Sequence, residues 1–275
     1  MVHGRPNKMW TYKSLRSSGY TGKIYLVADD LDDTVEDYKK KYKDELIVFD
    51  KLQSYDQVDS GDNSKDLRST LYSANTIPHL AKEKGIKHFF IMCDDYTRFV
   101  YKFDKELNYK ESQIKSLDSV FAAMLKYYKN IDCLTMALAQ NGDFIGGKDA
   151  GFSKNIKPKR KAMNTFLCNS DKPIKFMGRL NEDVNTYVNL GSTGKLFMTI
   201  PNVSIIQKPT QNTKGGLSDV YLDNGTYVKS FFSVMYNPSC VKISQMGEKH
   251  RRIHHRIKWK YAVPKIVNET HKKTN

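Results

Sequence analysis

Long apolar runs are missing from this sequence. No stretch reaches the ~18 to 20 apolar residues of a bilayer-crossing helix, and the amino-terminal residues lack the apolar centre of a secretory signal. A soluble, cytoplasmic protein with no membrane partner is expected. Cysteine is scarce as well: Cys93, Cys133, Cys168 and Cys240 are the only four in 275 residues. They lie far apart and form no close metal-ligand pair, which argues against zinc and for reduced, mostly buried thiols. Acidic residues are outnumbered, 30 against 45 Lys and Arg, leaving a formal charge of +15. That imbalance favours a polyanionic partner such as nucleic acid or an anionic membrane, because phosphate contacts release condensed counterions. No internal repeat and no low-complexity tract is present.

Part of the positive charge is clustered. Lys154, Lys157, Lys159, Arg160 and Lys161 form one run. Arg251, Arg252, Arg256, Lys258 and Lys260 form another, interleaved with His254, His255 and Trp259. Either run read alone is also compatible with an ordinary solvated surface.

From Lys23 the chain alternates short apolar strands with polar helices. Residues 23–28 read as a strand ending in the acidic turn Asp29-Asp30, residues 32–43 as a charged helix, and residues 45–49 as a second strand. Residues 50–66 are polar and aperiodic, which predicts a loop. A helix follows over 67–83 with Leu71, Ile77 and Leu80 as its inward stripe. The apolar run 87–92 reads as a strand buried on both faces. Further strands are expected near 97–103, 132–138, 197–207 and 240–243, and helices near 116–128 and 227–235. Residues 141–161 are rich in Gly and Lys, and residues 268–275 read as a polar tail. The alternation over residues 1–140 predicts an α/β layer with a largely parallel sheet, whose ligands would lie outside the carboxyl ends of the strands.

The chemistry concentrates at Ile91-Met92-Cys93-Asp94-Asp95-Tyr96, where two adjacent carboxylates close an apolar strand. Such a pair is costly unless something neutralises it. A divalent cation bridging to a diphosphate would do so, and Mn²⁺ or Mg²⁺ accepts one or two carboxylates together with phosphate oxygens. The competing reading is a solvent-facing turn.

The order of motifs says more than any one of them. Gly4-Arg5-Pro6-Asn7 comes first, followed by strand and acidic turn, the helix ending Lys82-Glu83-Lys84-Gly85, and the apolar strand running into Asp-Asp-Tyr. This order resembles the GT-A nucleotide-diphospho-sugar transferases, and within them the TET-associated glycosyltransferase family of phages and some eukaryotic proteins. The resemblance extends through Arg179-Leu180-Asn181-Glu182-Asp183-Val184-Asn185, Lys214-Gly215-Gly216-Leu217-Ser218-Asp219 and Arg252-Ile253-His254-His255-Arg256-Ile257-Lys258-Trp259, covering roughly residues 4–265. It implies a Rossmann-like single domain over 1–267 with a mostly parallel central sheet, divided into a nucleotide-sugar half (1–140) and an acceptor half (141–267).

The resemblance also implies roles for individual positions. Asp94 and Asp95 match the metal-binding strand end, with Asp94 also near the donor, and Arg5 matches a donor-site position. Asp29 and Asp30 fall where the nucleoside is often met, although they would equally start a helix. Glu182 and Asp183 resemble the acidic pair that supplies the base in many inverting enzymes, with Asp183 taken ahead of Glu182. The base would remove the acceptor hydroxyl proton, whereas acids at a helix start are favoured by the macrodipole in any case. His254 and His255 fall where a further metal ligand or diphosphate contact is often found. Strand alternation would let only one of the two reach the site. Arg256 and the Gly215-Gly216 turn are candidates for the diphosphate.

One feature departs from the pattern. Only Met1-Val2-His3 precede Gly4, so the first strand should be very short or missing, which bears on how Arg5 is held. The implied donor is a nucleotide-diphosphate sugar, such as a UDP-sugar. The implied acceptor is DNA carrying a hydroxylated base, 5-hydroxymethylcytosine for example, in a phage setting. Reaching that hydroxyl would require flipping the nucleotide. Lys154, Lys157, Lys159, Arg160, Lys161, Arg252 and Lys258 are the candidate backbone track, with Phe144 or Phe152 as stacking groups. The alternatives are transfer to a protein, a glycan or a sugar already on DNA, and a catalytically inactive DNA-binding module.

Overall fold

A computed structural model describes residues 1–144, 147–149, 165–208, 217–247 and 251–264. The chain opens with α1 (Trp10–Ser17), β1 (Leu26–Asp29), α2 (Val35–Tyr42) and β2 (Leu46–Phe49). In α2, Glu36 and Asp37 occupy the first turn and Lys39, Lys40 and Lys41 the last, so its charges complement the helix dipole. The expected loop at 50–66 contains a short helix, α3 (Lys51–Asp56). It forms because the Asp50 carboxylate accepts the Gln53 N–H at 2.8 Å, which satisfies one of the unpaired donors at the helix start.

Next come α4 (Leu71–Glu83), β3 (His88–Met92), β4 (Tyr96–Phe103), β5 (Tyr109–Gln113), α5 (Leu117–Lys129) and β6 (Thr135–Gln140). The second half holds β7 (Thr165–Asn169), α6 (Glu182–Ser192), β8 (Phe197–Gln207), α7 (Leu217–Asn224), α8 (Val228–Tyr236), β9 (Val241–Met246) and β10 (Arg252–Ile257).

The central sheet has six strands in the order β3-β7-β6-β8-β4-β5, and it corrects the expectation of a mostly parallel sheet. Only β6 and β8 run parallel; the other four pairs are antiparallel. The reason is connectivity, because a parallel neighbour needs a crossover while an antiparallel one needs only a return. β4 turns back into β5 through Asp104–Asn108, and β3, β4 and β5 follow one another with no helix between them, which interrupts the strand–helix alternation that suggested parallel pairing. The first half keeps parallel pairing in β1 and β2. Residues 1 and 2 lie between that pair and the main sheet: the Val2 N–H donates to the Val27 carbonyl at 3.0 Å and the Met1 amino group to the Met92 carbonyl at 2.9 Å.

Side chains of β6 alternate between the two layers. Met136 and Leu138 join Leu15, Phe99, Phe121 and Ile205 on one side, while Ala137 joins Leu71, Phe166, Tyr187 and Val188 on the other. The period of two in the strand thus divides the core into an α1/α5 layer and an α4/α6 layer. β3 is less enclosed than its apolar sequence suggests, with Ile91 its one fully buried residue.

β8 bends midway. Leu138 pairs with Ile200, but the next residue, Ala139, pairs with Ser204, so residues 201–203 form a bulge. Beyond the bulge β8 also pairs with β4 and carries Gln207 and Lys208 to the carboxyl end of β3. No helix among the described residues is long and apolar enough to cross a membrane.

Candidate active site

Asp94 and Asp95 leave β3 together and are fixed from both sides. Thr11 of α1 donates its N–H to the Asp94 carbonyl at 3.3 Å and its Oγ1 hydroxyl to the Cys93 carbonyl at 2.7 Å, and that same hydroxyl accepts the Tyr96 N–H at 2.9 Å. From β8, Gln207 Nε2 donates to Asp95 Oδ2 at 2.7 Å and the Lys208 N–H to the Asp95 carbonyl at 3.2 Å. Arg5 Nη1 stands 3.4 Å from Asp94 Oδ1, and the Arg5 N–H donates to the Tyr38 hydroxyl at 3.0 Å.

Burial pushes both carboxyls above the usual range. Arg5 partly offsets this for Asp94 and Gln207 does so for Asp95. Three atoms here are buried without a hydrogen-bond partner: Arg5 Nε, Asp94 Oδ2 and Asp95 Oδ1. Unpaired buried carboxylate oxygens call for a positive partner, and two hard oxygen donors suit a divalent cation that takes its remaining ligands from a diphosphate. Among the described residues, no group of three or more His, Cys, Asp or Glu is arranged to hold a metal ion.

Asp29 and Asp30 end β1 and face other partners. Asp29 is buried between Lys51 Nζ at 3.2 Å and His3 Nδ1 at 3.1 Å. Asp30 is exposed and accepts the Lys51 N–H at 2.9 Å, which ties β1 to α3. His3 is held above its ordinary pKa chiefly by the hydrogen bond to Asp29.

The second acidic pair opens α6. Glu182 is half-buried and Asp183 buried. Burial first, and then the neighbouring Asp183 charge, push the Glu182 carboxyl up to about 7, while a hydrogen bond from the Thr70 hydroxyl pulls it the other way. Asp183 Oδ1 accepts the Val184 N–H at 2.8 Å, the helix-start role that competed with catalysis for this pair. Each carboxylate of the pair thus has a hydrogen-bond donor, Glu182 in the Thr70 hydroxyl and Asp183 in the Val184 N–H.

The turn before α6 is built tightly. Gly178 has φ +82°, and a Cβ there would come 2.5 Å from Asn185 Nδ2 and 2.7 Å from a Tyr236 ring carbon, so only glycine fits. Fully buried Asn185 donates to the Met177 and Leu180 carbonyls at 3.2 and 2.9 Å. Asn181 takes φ 61° and donates to Ser233 Oγ at 2.6 Å. Buried Arg179 grips Asp62 through Nε at 2.8 Å. The charge of Glu182 reaches the Cys93 thiol, whose pKa is raised by burial and then by Asp95, Asp94 and Glu182. The two acidic pairs therefore share one electrostatic neighbourhood.

His255 Nδ1 is 3.5 Å from Asn181 Nδ2, beside the α6 start. The His254 and His255 rings do not part to opposite faces as alternation suggests; their centroids are 4.3 Å apart, with His254 Nδ1 turned back to 2.7 Å from the His255 carbonyl oxygen. Arg252, Arg256 and Lys258 are exposed on or just after β10. Trp259 leaves the basic stretch to stack on Tyr187 at 5.7 Å. Phe144 is buried against Phe103 and Tyr109, which removes it as an exposed stacking group. Lys154, Lys157, Lys159, Arg160, Lys161, Phe152, Gly215 and Gly216 lie outside the described residues.

Sequence reasoning missed Thr70, Lys51 and Gln207. Thr70 and Gln207 meet their partners across a separation of 112 residues, where no local pattern connects them. Lys51 was recoverable only by recognising Asp50 as a helix cap. A family model described as TET-Associated Glycosyltransferase matches residues 1–216. No curated protein and no solved structure matches the chain.

Proposed function

The chain belongs to the TET-associated glycosyltransferase family, and from that membership, which implies a nucleotide-sugar donor, we propose that it transfers a sugar from a UDP-sugar to the hydroxyl of a modified base in DNA, such as 5-hydroxymethylcytosine. The observation that carries the reading is the pairing of two environments. Asp94 and Asp95 present buried, unpartnered oxygens, while Glu182 has its pKa brought to about 7 within electrostatic reach of the same strand end.

Asp94 and Asp95 would hold Mn²⁺ or Mg²⁺, which when bound neutralises the charge of the leaving diphosphate. Arg5 stands beside Asp94 and adds a second positive group on the donor side. Glu182 takes the proton of the acceptor hydroxyl. The hydroxyl oxygen forms the new bond to the anomeric carbon as the bond from that carbon to the phosphate oxygen breaks, and the nucleoside diphosphate departs with the electron pair. A base near neutrality is matched to this work, since it is substantially ionised at physiological pH yet still basic enough to accept a proton. Thr70 orients the carboxylate.

The +15 charge and the exposed Arg252, Arg256 and Lys258 support a polyanionic acceptor, because a basic surface draws nucleic acid whatever its sequence. The hydroxylated base would enter the site flipped from its stack. The test is mass spectrometry of nucleosides from hydroxymethylated DNA incubated with a panel of sugar nucleotides and Mn²⁺. A hexose or pentose adduct on the modified nucleoside is the expected outcome. DNA binding with no donor turnover across the whole panel would instead make the chain a binding module.

A further inference from the structure

The β9–β10 ribbon has two unlike faces. Its strands pair antiparallel in unbroken register, so directly opposed residues share a face. On one face Val241 opposes Ile257 and Ile243 opposes His255. Val241 is buried, it and Ile257 belong to the apolar cluster of Val184 and Val188 of α6, and His255 Nδ1 reaches Asn181 at the α6 start. This face anchors the ribbon beside Glu182 and Asp183.

The opposite face is basic. Lys242 stands across from Arg256 and Met246 from Arg252, all four exposed, with Ser244 and His254 between them. The His254 ring itself folds back toward the His255 carbonyl. Like charges directly opposed across a ladder are destabilising, and neither strand contains an Asp or Glu to offset them. Exposed lysines elsewhere take acidic partners, as Lys39 takes Glu36, Lys87 takes Asp171 and Lys172 takes Asp132. Among the described residues, Lys242, Arg252 and Arg256 take none. A polyanion would supply the missing charge.

The shape selects the groove. A two-stranded ribbon fits the major groove of duplex DNA, about 12 Å wide, where Arg and Lys side chains meet guanine O6 and N7 and where the substituent on C5 of a pyrimidine projects. Resting on the reading of DNA as the acceptor, we propose that the β9–β10 ribbon enters the major groove, with Lys242, Arg252 and Arg256 against base edges and the flanking phosphates, and brings the modified base to the acidic pair behind it. Arg256 then serves the acceptor and not the donor diphosphate. Lys242 lies outside both basic runs of the sequence and joins this surface only through the pairing of the strands.

The experiment sets the full chain beside the triple variant Lys242→Gln, Arg252→Gln, Arg256→Gln on a hydroxymethylated duplex. Removing three phosphate or base contacts should lower the slope of log affinity against log salt by about 2 to 3. Guanine N7 should be protected from dimethyl sulfate by the parent and not by the variant, with Mn²⁺-dependent UDP binding retained in both. Lys242→Glu separates this from a folding defect: it gives Arg256 a counter-charge, so the thermal midpoint should hold or rise while duplex binding weakens at least about tenfold. An unchanged slope in the triple variant, or a parent that binds the duplex without shielding guanine N7, would overturn the proposal and leave the DNA reading standing. Loss of UDP binding in Arg256→Gln alone would return that residue to the donor and overturn it as well. A parent with no affinity for the duplex would sink both readings together.

Discussion

Replacing Glu182 by Gln removes a charge while keeping the shape of the side chain and an oxygen to accept from Thr70. In the folded chain the carboxyl holds its proton up to about 7, against an ordinary value of 4.5. The fold therefore binds this proton more tightly than the unfolded chain does. Its stability is fully present below pH 4.5, falls as pH rises from there through 7, and stays reduced above. For a fully buried group the difference corresponds to roughly 3 kcal/mol. Glu182 is half-buried, and solvent screening reduces the expected cost of the ionised form to about 1 to 2 kcal/mol.

Glu182→Gln should therefore raise the thermal midpoint at pH 8 by about 2 to 6 °C, leave it nearly unchanged at pH 4.5, and flatten the pH dependence between. Sugar transfer should fall about 10²- to 10⁴-fold, as expected for loss of a general base, with donor binding preserved. The assays are calorimetry across pH 4.5 to 8 and single-turnover transfer. Transfer within about threefold of the parent, or a difference in melting between parent and variant that is the same at pH 4.5 and pH 8, would refute the assignment.

Thr70→Val removes the hydroxyl that favours ionised Glu182, so the rising limb of the pH–rate profile should move to higher pH, and Thr70→Ser should restore it; an unmoved profile would show that the contact has no bearing on the base. Lys51→Met leaves the buried Asp29 carboxylate with His3 as its remaining basic partner and should lower stability in urea by about 2 kcal/mol, with much of the loss recovered in Lys51→Met combined with Asp29→Asn; a loss below about 0.5 kcal/mol would show that the ion pair is not needed. Asp95→Asn should fold at least as well as the parent, because its carboxyl is already raised by burial. It should lose most of the thermal stabilisation that Mn²⁺ gives the parent, and stabilisation retained in full would remove Asp95 from the cation site.

What could be read from sequence was whatever is written locally. The run into Asp94-Asp95 stands out because apolar β-formers stop abruptly at two charges, and the start of α6 because acids cluster where the dipole favours them. β5 escaped notice because Tyr109–Gln113 is fully exposed and has no apolar period to betray it. α3 was hidden in a polar stretch whose one cue was the cap at Asp50. The parallel sheet was misread because alternation of strand and helix does not by itself set strand direction: β3, β4 and β5 follow one another without a helix, and β7 lies antiparallel to both β3 and β6. The partners of the site residues, Thr70 on Glu182 and Gln207 on Asp95, exist only once the chain is folded.

The bulge in β8 determines how this site can drift under insertion and deletion. Because strand side chains alternate strictly, removing one residue from 201–203 would turn every later residue of β8 to the opposite face. Gln207 would leave Asp95, and Ile205 would swing out of the core that now buries it. Removing two would keep the facing but draw the strand end back by roughly 7 Å. The hairpin turn at Asp104–Asn108, by contrast, is surface-exposed and touches neither acidic pair. Length variation among relatives should thus collect in that turn and be nearly absent from residues 201–203, a pattern that any set of aligned sequences would reveal at once.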